Sequence, residues 1–241
     1  MTNSRPVAVF RFSGTEGPGH FATFLDANRI AWTLVKLDEA APVPASSEAF
    51  AGLGFMGGPM SANDELPWTQ PVLSLMRDAA SRRVPMIGHC LGGQLMSRAL
   101  GGRVSRNPVK EIGWVRIDAE PTEAAREWLG EASRGFESFQ WHEDTFTVPS
   151  GAERILYGGT CANQAYVLDG LHLGMQCHVE MDAALVEAWC RGGAGEIEAG
   201  LGSSPAVQDA ATIRGLAARN LPGLTAVAER LYARWIRGLR P

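Results

Sequence analysis

The sequence predicts an α/β protein: a doubly wound, mostly parallel sheet with helices on both faces, followed by a helical C-terminal extension. Three observations carry this. In the N-terminal half, short apolar runs alternate with stretches of helical periodicity, the pattern of strands buried on both faces. At 241 residues, 45% hydrophobic and 20% charged, the chain is long enough for one proper core and too apolar for wholesale disorder. Past Met181 the pattern is helical to the end.

The elements follow in order. Pro6 to Phe12 reads as a strand that Met1-Thr2-Asn3-Ser4-Arg5 enters directly, with no signal-peptide layout. A Gly/Pro turn from Gly14 to Gly19 leads into a helix carrying Phe21, Phe24 and Leu25 on one face. Ile30 to Leu37 and Ala49 to Met56 are the second and third strands. Pro67 to Arg83 is a helix with Leu73, Leu75, Met76 and Ala80 apolar. Val84 to Gly88 is the fourth strand, and Gly92 to Leu100 a helix with Leu95, Met96, Ala99 and Leu100 inward.

From Arg103 to His178 the pattern changes to short strands divided by turns. They are Trp114 to Ile117, Phe136 to Trp141, Asp144 to Val148, Arg154 to Gly158, Gln164 to Leu168 and Leu171 to Gln176. A helix with Leu185, Val186 and Trp189 follows. Gly192 to Ser204 reads as a loose, Gly-rich connector, and the last helix begins after Pro222. Its Leu224, Val227, Leu231 and Trp235 form one stripe, expected to pack on the chain itself rather than in a dimer. Arg230, Arg234, Arg237 and Arg240 read as a solvated helix face.

Composition also excludes functions. A net charge of −4 gives no electrostatic footprint for nucleic acid. No stretch approaches the roughly 20 apolar residues of a membrane helix. A cytoplasmic location is expected, where Cys90, Cys161, Cys177 and Cys190 stay reduced thiols.

The strongest chemical signal is Gly88-His89-Cys90-Leu91-Gly92-Gly93-Gln94, between a strand and a helix. A sharp strand-to-helix turn exposes a nucleophile, glycines leave room beside it, and the helix N-terminus favours a thiolate and an oxyanion. The second is Gln176-Cys177-His178-Val179-Glu180 at a strand end. Residues i and i+2 of an extended segment share a face, so Glu180 can orient His178 as the third member of a triad. Taken alone, the motif is better explained by an ordinary polar His178 at a strand end and Glu180 as the first-turn acid of the next helix; with an elbow cysteine upstream that explanation loses.

Phe55-Met56-Gly57-Gly58-Pro59 ends the third strand, where its N–H groups can face an oxyanion. Gly52, Gly54 and Gly57 match G-x-G-x-x-G, but the run lies inside a strand and opens no helix, which rules out dinucleotide binding. His142, in Gln140-Trp141-His142-Glu143-Asp144, is a rival general base, while His20, His89 and His172 read as structural. No metal is expected, because Cys161, Cys177, His178 and Cys190 match no zinc spacing. No cofactor is expected either.

These residues together resemble the class I glutamine amidotransferases, the Cys-His-Glu enzymes that hydrolyse the side-chain amide of glutamine. The resemblance runs from about Val7 to Trp189. Glu111-Ile-Gly-Trp114 and Trp141-His142-Glu143-Asp144-Thr145-Phe146 further resemble a stand-alone bacterial branch similar to the glutaminase domain of GMP synthase. The resemblance implies a flavodoxin-like catalytic domain over residues 1–190, with residues 191–241 packed on it as a helical extension. It implies Cys90 as nucleophile, His178 as base and then acid, and Glu180 as its partner. Gly58 and Leu91 would form the oxyanion hole; Gln94 and the backbone at Trp141 and His142 would hold the substrate's α-amino and α-carboxylate ends.

The chain departs from the family pattern at three positions. His-Pro-Glu reads His178-Val179-Glu180, after Cys177 in place of an aromatic, and Glu143 replaces a glycine in the substrate loop. Glu143 bears on substrate identity rather than chemistry. Three functions follow. The first is a glutaminase feeding ammonia to a separately encoded synthetase, since the length leaves no room for a fused one. The second is an autonomous γ-glutamyl hydrolase or peptidase. The third is a non-catalytic regulator, which the intact triad disfavours.

Overall fold

Residues 5–240 are described by a computed structural model. The N-terminal tetrapeptide read as leading into the first strand lies outside the described residues, as does Pro241. The elements are β1 (Val7–Arg11), α1 (Gly19–Ala27), β2 (Trp32–Lys36), β3 (Gly52–Phe55), α2 (Thr69–Ser81), β4 (Met86–His89), α3 (Leu91–Ala99) and β5 (Val104–Ala119). After them come α4 (Glu123–Leu129), β6 (Phe136–Phe146), β7 (Ala152–Gly158), β8 (Ala165–Leu168) and β9 (His172–Met175). The chain ends in α5 (Ala183–Gly192), α6 (Ala194–Gly200), β10 (Ala206–Val207) and α7 (Ala210–Trp235).

One sheet runs β10-β5-β7-β8-β9-β4-β3-β1-β2, with β6 also paired to β5. Its β2-β1-β3-β4-β9 half is parallel, and from β9 through β8, β7 and β5 to β6 the pairing is antiparallel. Alternate side chains of β1 serve opposite layers, as period-two projection requires. Val7 and Val9 pack in the core that includes Phe21, Leu25 and Trp235. Ala8 and Phe10 pack in the core that includes Leu73, Met76 and Leu95. Helices thus cover both faces of the parallel half, as predicted.

The second half differs from its sequence reading in several ways. Phe136 to Trp141 and Asp144 to Phe146 belong to a single strand, β6, because it pairs along most of the length of β5, and Thr147 and Val148 lie beyond its end. α4 interrupts the strand run; Thr122 caps it by accepting from the Ala125 N–H at 3.2 Å. The Gly-rich connector contains α6, whose Ile197 is buried.

α7 begins well before Pro222, at Ala210, where the Asp209 carboxylate caps it by accepting from the Thr212 N–H at 2.8 Å, and it runs through the proline. Burial of the stripe Leu224, Val227, Leu231 and Trp235 outweighs the one amide hydrogen the proline lacks. β10 joins the sheet on β5, so residues beyond 190 share both the sheet and the core.

The arginine series is not a simply solvated face. Arg234 bonds Glu127 at 2.7 Å and the Gly170 carbonyl at 3.1 Å, and its guanidinium lies 4.8 Å from the Trp128 ring centroid. Arg230 donates to the Glu127 carbonyl and Arg240 to that of Arg82. Among the described residues, no helix is long and apolar enough to cross a membrane.

Candidate active site

The C-terminal ends of β1, β3 and β4 converge with β6, α5 and α6 on one cavity, the usual place for a site in a doubly wound sheet. Cys90 forms the turn between β4 and α3 with φ +47° and ψ −107°, a conformation that L-residues rarely hold. The surrounding packing imposes it. A Cβ on Gly92 would overlap the Phe55 carbonyl oxygen, and one on Gly93 would overlap that of Met175. The first turn of α3 therefore lies directly on two strand backbones, and the chain must turn sharply at Cys90 to get there.

Gly92 N–H donates to Met56 O at 3.1 Å and Gln94 N–H to Cys90 O at 2.9 Å. The N–H groups of Leu91 and Gly58, the two expected oxyanion donors, have no acceptor among the described residues. The two residues are adjacent: a Cβ on Gly58 would lie 2.7 Å from Leu91 Cδ2.

His178 is fully buried, and its backbone N–H donates to Phe139 O at 2.9 Å, tying it to β6. Its Nδ1 pairs with Glu180 Oε1 at 2.6 Å, and the edge of Trp189 packs on its ring at 4.8 Å. Its Nε2 has no hydrogen-bond partner among the described residues, leaving the nitrogen free for proton transfer. Burial disfavours the charged ring, but the charges of Glu180 and Cys90 prevail and hold the imidazole well above its ordinary pKa. Burial likewise opposes ionisation of Glu180, yet His178 and His89 keep it below the usual carboxylate range.

His89 is more than structural filler: its Nε2 lies 3.0 Å from the Tyr232 hydroxyl of α7 and 4.0 Å from Glu180 Oε2. Burial pushes its pKa down. The C-terminal helix is thus connected to the back of the triad.

Opposite Cys90 stands β6. Cys90 Sγ lies 3.9 Å from Trp141 O. Both ring nitrogens of His142 are engaged, Nδ1 with Asp144 O at 2.9 Å and Nε2 with Glu111 Oε2 at 2.7 Å, which removes it as a general base. Glu111 is fully buried and also accepts from Thr160 Oγ1 and from Gln164 Nε2 at 3.1 Å. Burial works against its charge, and these donors overcome that and lower its pKa.

Gln94 lines the cavity; its Nε2 donates to Asp144 O at 3.3 Å and to Gln176 Oε1 at 3.2 Å. Its amide oxygen has no donor among the described residues. Gln176 in turn donates from Nε2 to Cys90 Sγ at 3.5 Å.

The cavity holds about 590 Å³ and is also lined by Thr15, Glu16, Ser61, Trp189 and Glu196. Glu143 lines it too, paired with Arg106. Glu111, His142 and Cys161 place ligand-type atoms within 4.8 Å of one another, but Glu111 and His142 are committed to each other and burial pushes the Cys161 thiol up to about 11. Of the expected residues, Cys90, Gly58, Gln94, Trp141 and His142 line the cavity, while Leu91 lies against Gly58, and His178, paired with Glu180, lies against Gly57, all three buried beside it. Sequence reasoning missed Glu16, inside what reads as a Gly/Pro turn, and gave no role to Gln176.

A family model, glutamine amidotransferase class-I, matches residues 23–185. The glutamine amidotransferase-like protein YfeJ of Salmonella typhimurium is 29% identical over 163 residues, 66% of this chain and 67% of that one. The glutamine-hydrolysing GMP synthase of Clostridium perfringens is 32% identical over 123 residues, 44% of this chain and 23% of that one. One subunit of the glutamine-hydrolysing GMP synthase of Sulfurisphaera tokodaii is 30% identical over 53% of this chain and 65% of its own. The match thus spans under a quarter of the Clostridium synthase and about two thirds of the Sulfurisphaera subunit. A glutamine amido transferase crystal structure from Methylobacillus flagellatus superposes with TM-score 0.96 at 47% identity, over 99% of this chain and 96% of that one. A Thermotoga maritima glutamine amidotransferase, 23% identical, shares the fold with TM-score 0.85 over 96% and 97%.

Proposed function

This chain belongs to the class I glutamine amidotransferase family, and on that premise we propose that it cleaves the γ-carboxamide of glutamine, or a γ-glutamyl amide, through a thioester on Cys90. The observation that carries the reading is a strained cysteine turn on the cavity wall with the buried His178–Glu180 pair close enough for Cys90 to act on the imidazole.

The Cys90 thiolate attacks the γ-carbonyl, and the N–H groups of Gly58 and Leu91 stabilise the oxyanion of the tetrahedral intermediate. His178 gives its Nε2 proton to the leaving nitrogen, the C–N bond breaks, and a γ-glutamyl thioester remains on Cys90. Neutral His178 then takes a proton from water, which attacks the thioester and releases glutamate and the thiolate. Glu180 holds the imidazole by Nδ1 and stabilises its cation in both steps. Gln94 and the backbone at Trp141 and His142 hold the α-amino and α-carboxylate ends. Val179 occupies the position of the family's proline without separating His178 from Glu180.

Two modes of use fit this chemistry: a glutaminase that supplies a separate synthetase, and an autonomous γ-glutamyl hydrolase. A cavity of about 590 Å³, well beyond the needs of glutamine, supports the second. A cytoplasmic setting accords with four free cysteines. The test is glutamate release from glutamine and a panel of γ-glutamyl amides, with and without cell extract. Partner-free cleavage of a larger amide supports the hydrolase; glutamine turnover that depends on extract supports the synthetase-coupled glutaminase; no release from any compound under either condition refutes the proposal.

A further inference from the structure

The carboxylates lining the cavity differ in how they are satisfied. Glu143 pairs with Arg106. Asp144 accepts from Ser61 Oγ at 2.7 Å. Glu196 accepts from Trp141 Nε1 at 2.8 Å and pairs with Lys110 at 2.7 Å. Glu16 lines the same cavity, and its side chain has no hydrogen-bond or ion-pair partner among the described residues. Arg106 is the one lysine or arginine of the lining among the described residues, and Glu143 already holds it.

Position adds to this. A Cβ on Gly57 would overlap Oε2 of Glu16 and lie 3.1 Å from His178 Cε1, so the free carboxylate and the imidazole edge face the same space. That edge carries the nitrogen that hands its proton to the leaving amine. The expected contacts for the glutamyl α-groups, Gln94 and the backbone at Trp141, belong instead to α3 and β6. The charged groups acting on Glu16 are His178, Glu180 and Glu196. Burial, the largest influence, pushes its pKa up to about 7 against the pull of His178.

We infer that Glu16 forms the leaving-group subsite, so that the cavity takes γ-glutamyl amides whose leaving group bears a second, protonated amine in preference to those whose leaving group bears a carboxylate. The inference rests on the γ-glutamyl hydrolase reading. A cationic tail meets an unpaired carboxylate, whereas an anionic tail meets that carboxylate and finds no free cation. The expelled diamine takes its proton from His178, as ammonia would.

The experiment compares kcat/KM for mono-γ-glutamyl-1,4-diaminobutane, glutamine and γ-glutamylglycine in wild type, Glu16→Gln and Glu16→Ala. The wild type is expected to prefer the diamine derivative, and both substitutions to lower the ratio of diamine derivative to glutamylglycine about tenfold, the effect of one partly buried ion pair. Equal losses on all three compounds would assign Glu16 to the common glutamyl end and overturn the inference, as would an unmoved ratio. Calorimetric titration of the wild type with free 1,4-diaminobutane separates the two readings. Diamine binding that Glu16→Gln abolishes, in a protein that cleaves none of the amides, would uphold the subsite while the hydrolase reading fails. Absence of diamine binding and of the preference would overturn the subsite.

Discussion

Replacing Gln176 with methionine tests how the nucleophile is held. Donors and acceptors fix the orientation of two amides in sequence. Asp144 O can only accept, so the side-chain nitrogen of Gln94 faces it; the second hydrogen of that nitrogen then goes to Gln176 Oε1, which turns the Gln176 nitrogen to Cys90 Sγ at 3.5 Å. Gln176 is fully buried, and methionine keeps its length while removing both polar atoms. A hydrogen bond to a charged acceptor is worth about 1.5–3 kcal/mol, so alkylation of Cys90 by iodoacetamide at fixed pH should slow on the order of tenfold or more, with kcat/KM falling in parallel. Cys161, Cys177 and Cys190 are at most 1% exposed, so the signal belongs to Cys90. Wild-type alkylation in a variant that unfolds at the wild-type temperature would refute the reasoning.

Two further outcomes follow from groups around the site. Glu16 binds its proton more tightly in the folded protein, with a pKa of about 7 against 4.5, so native stability falls as pH rises through that interval and is lowest above it. Glu16→Gln should therefore be the more stable protein at pH 8 by roughly 2–3 kcal/mol relative to its standing at pH 4, measured by urea unfolding; a pH-independent difference would contradict the burial argument. Tyr232→Phe leaves the buried Nε2 of His89 without its 3.0 Å partner while the ring keeps its packing on Phe21. Thermal unfolding should show a loss of about 1–2 kcal/mol, and kcat should fall because His89 backs Glu180; an unchanged kcat would detach α7 from the triad.

Much of this was readable from residue order. The buried strands β1, β3 and β4 announce themselves as apolar runs, and Gly88 to Gln94 could only be a crowded strand-to-helix turn. What escaped was set by long-range partners. β6 looks like two strands because Trp141 to Asp144 is polar, and only its pairing with β5 makes it one. α7 runs through Pro222 because the core beneath it takes Leu224 to Trp235. Glu16 looked like part of a turn because nothing nearby in sequence places it beside His178, more than 150 residues away. Gln176 sat in plain view, but its role depends on Gln94 across the sheet.

The central claim is a covalent γ-glutamyl thioester on Cys90. Rapid quenching in acid during turnover of a γ-glutamyl amide, followed by intact mass spectrometry, reads it directly. The expected product is a species heavier by one γ-glutamyl group, mapped to the peptide containing Cys90 and absent from Cys90→Ala, which also releases no glutamate. Full glutamate release by Cys90→Ala would contradict it, and so would an acyl group on any other residue.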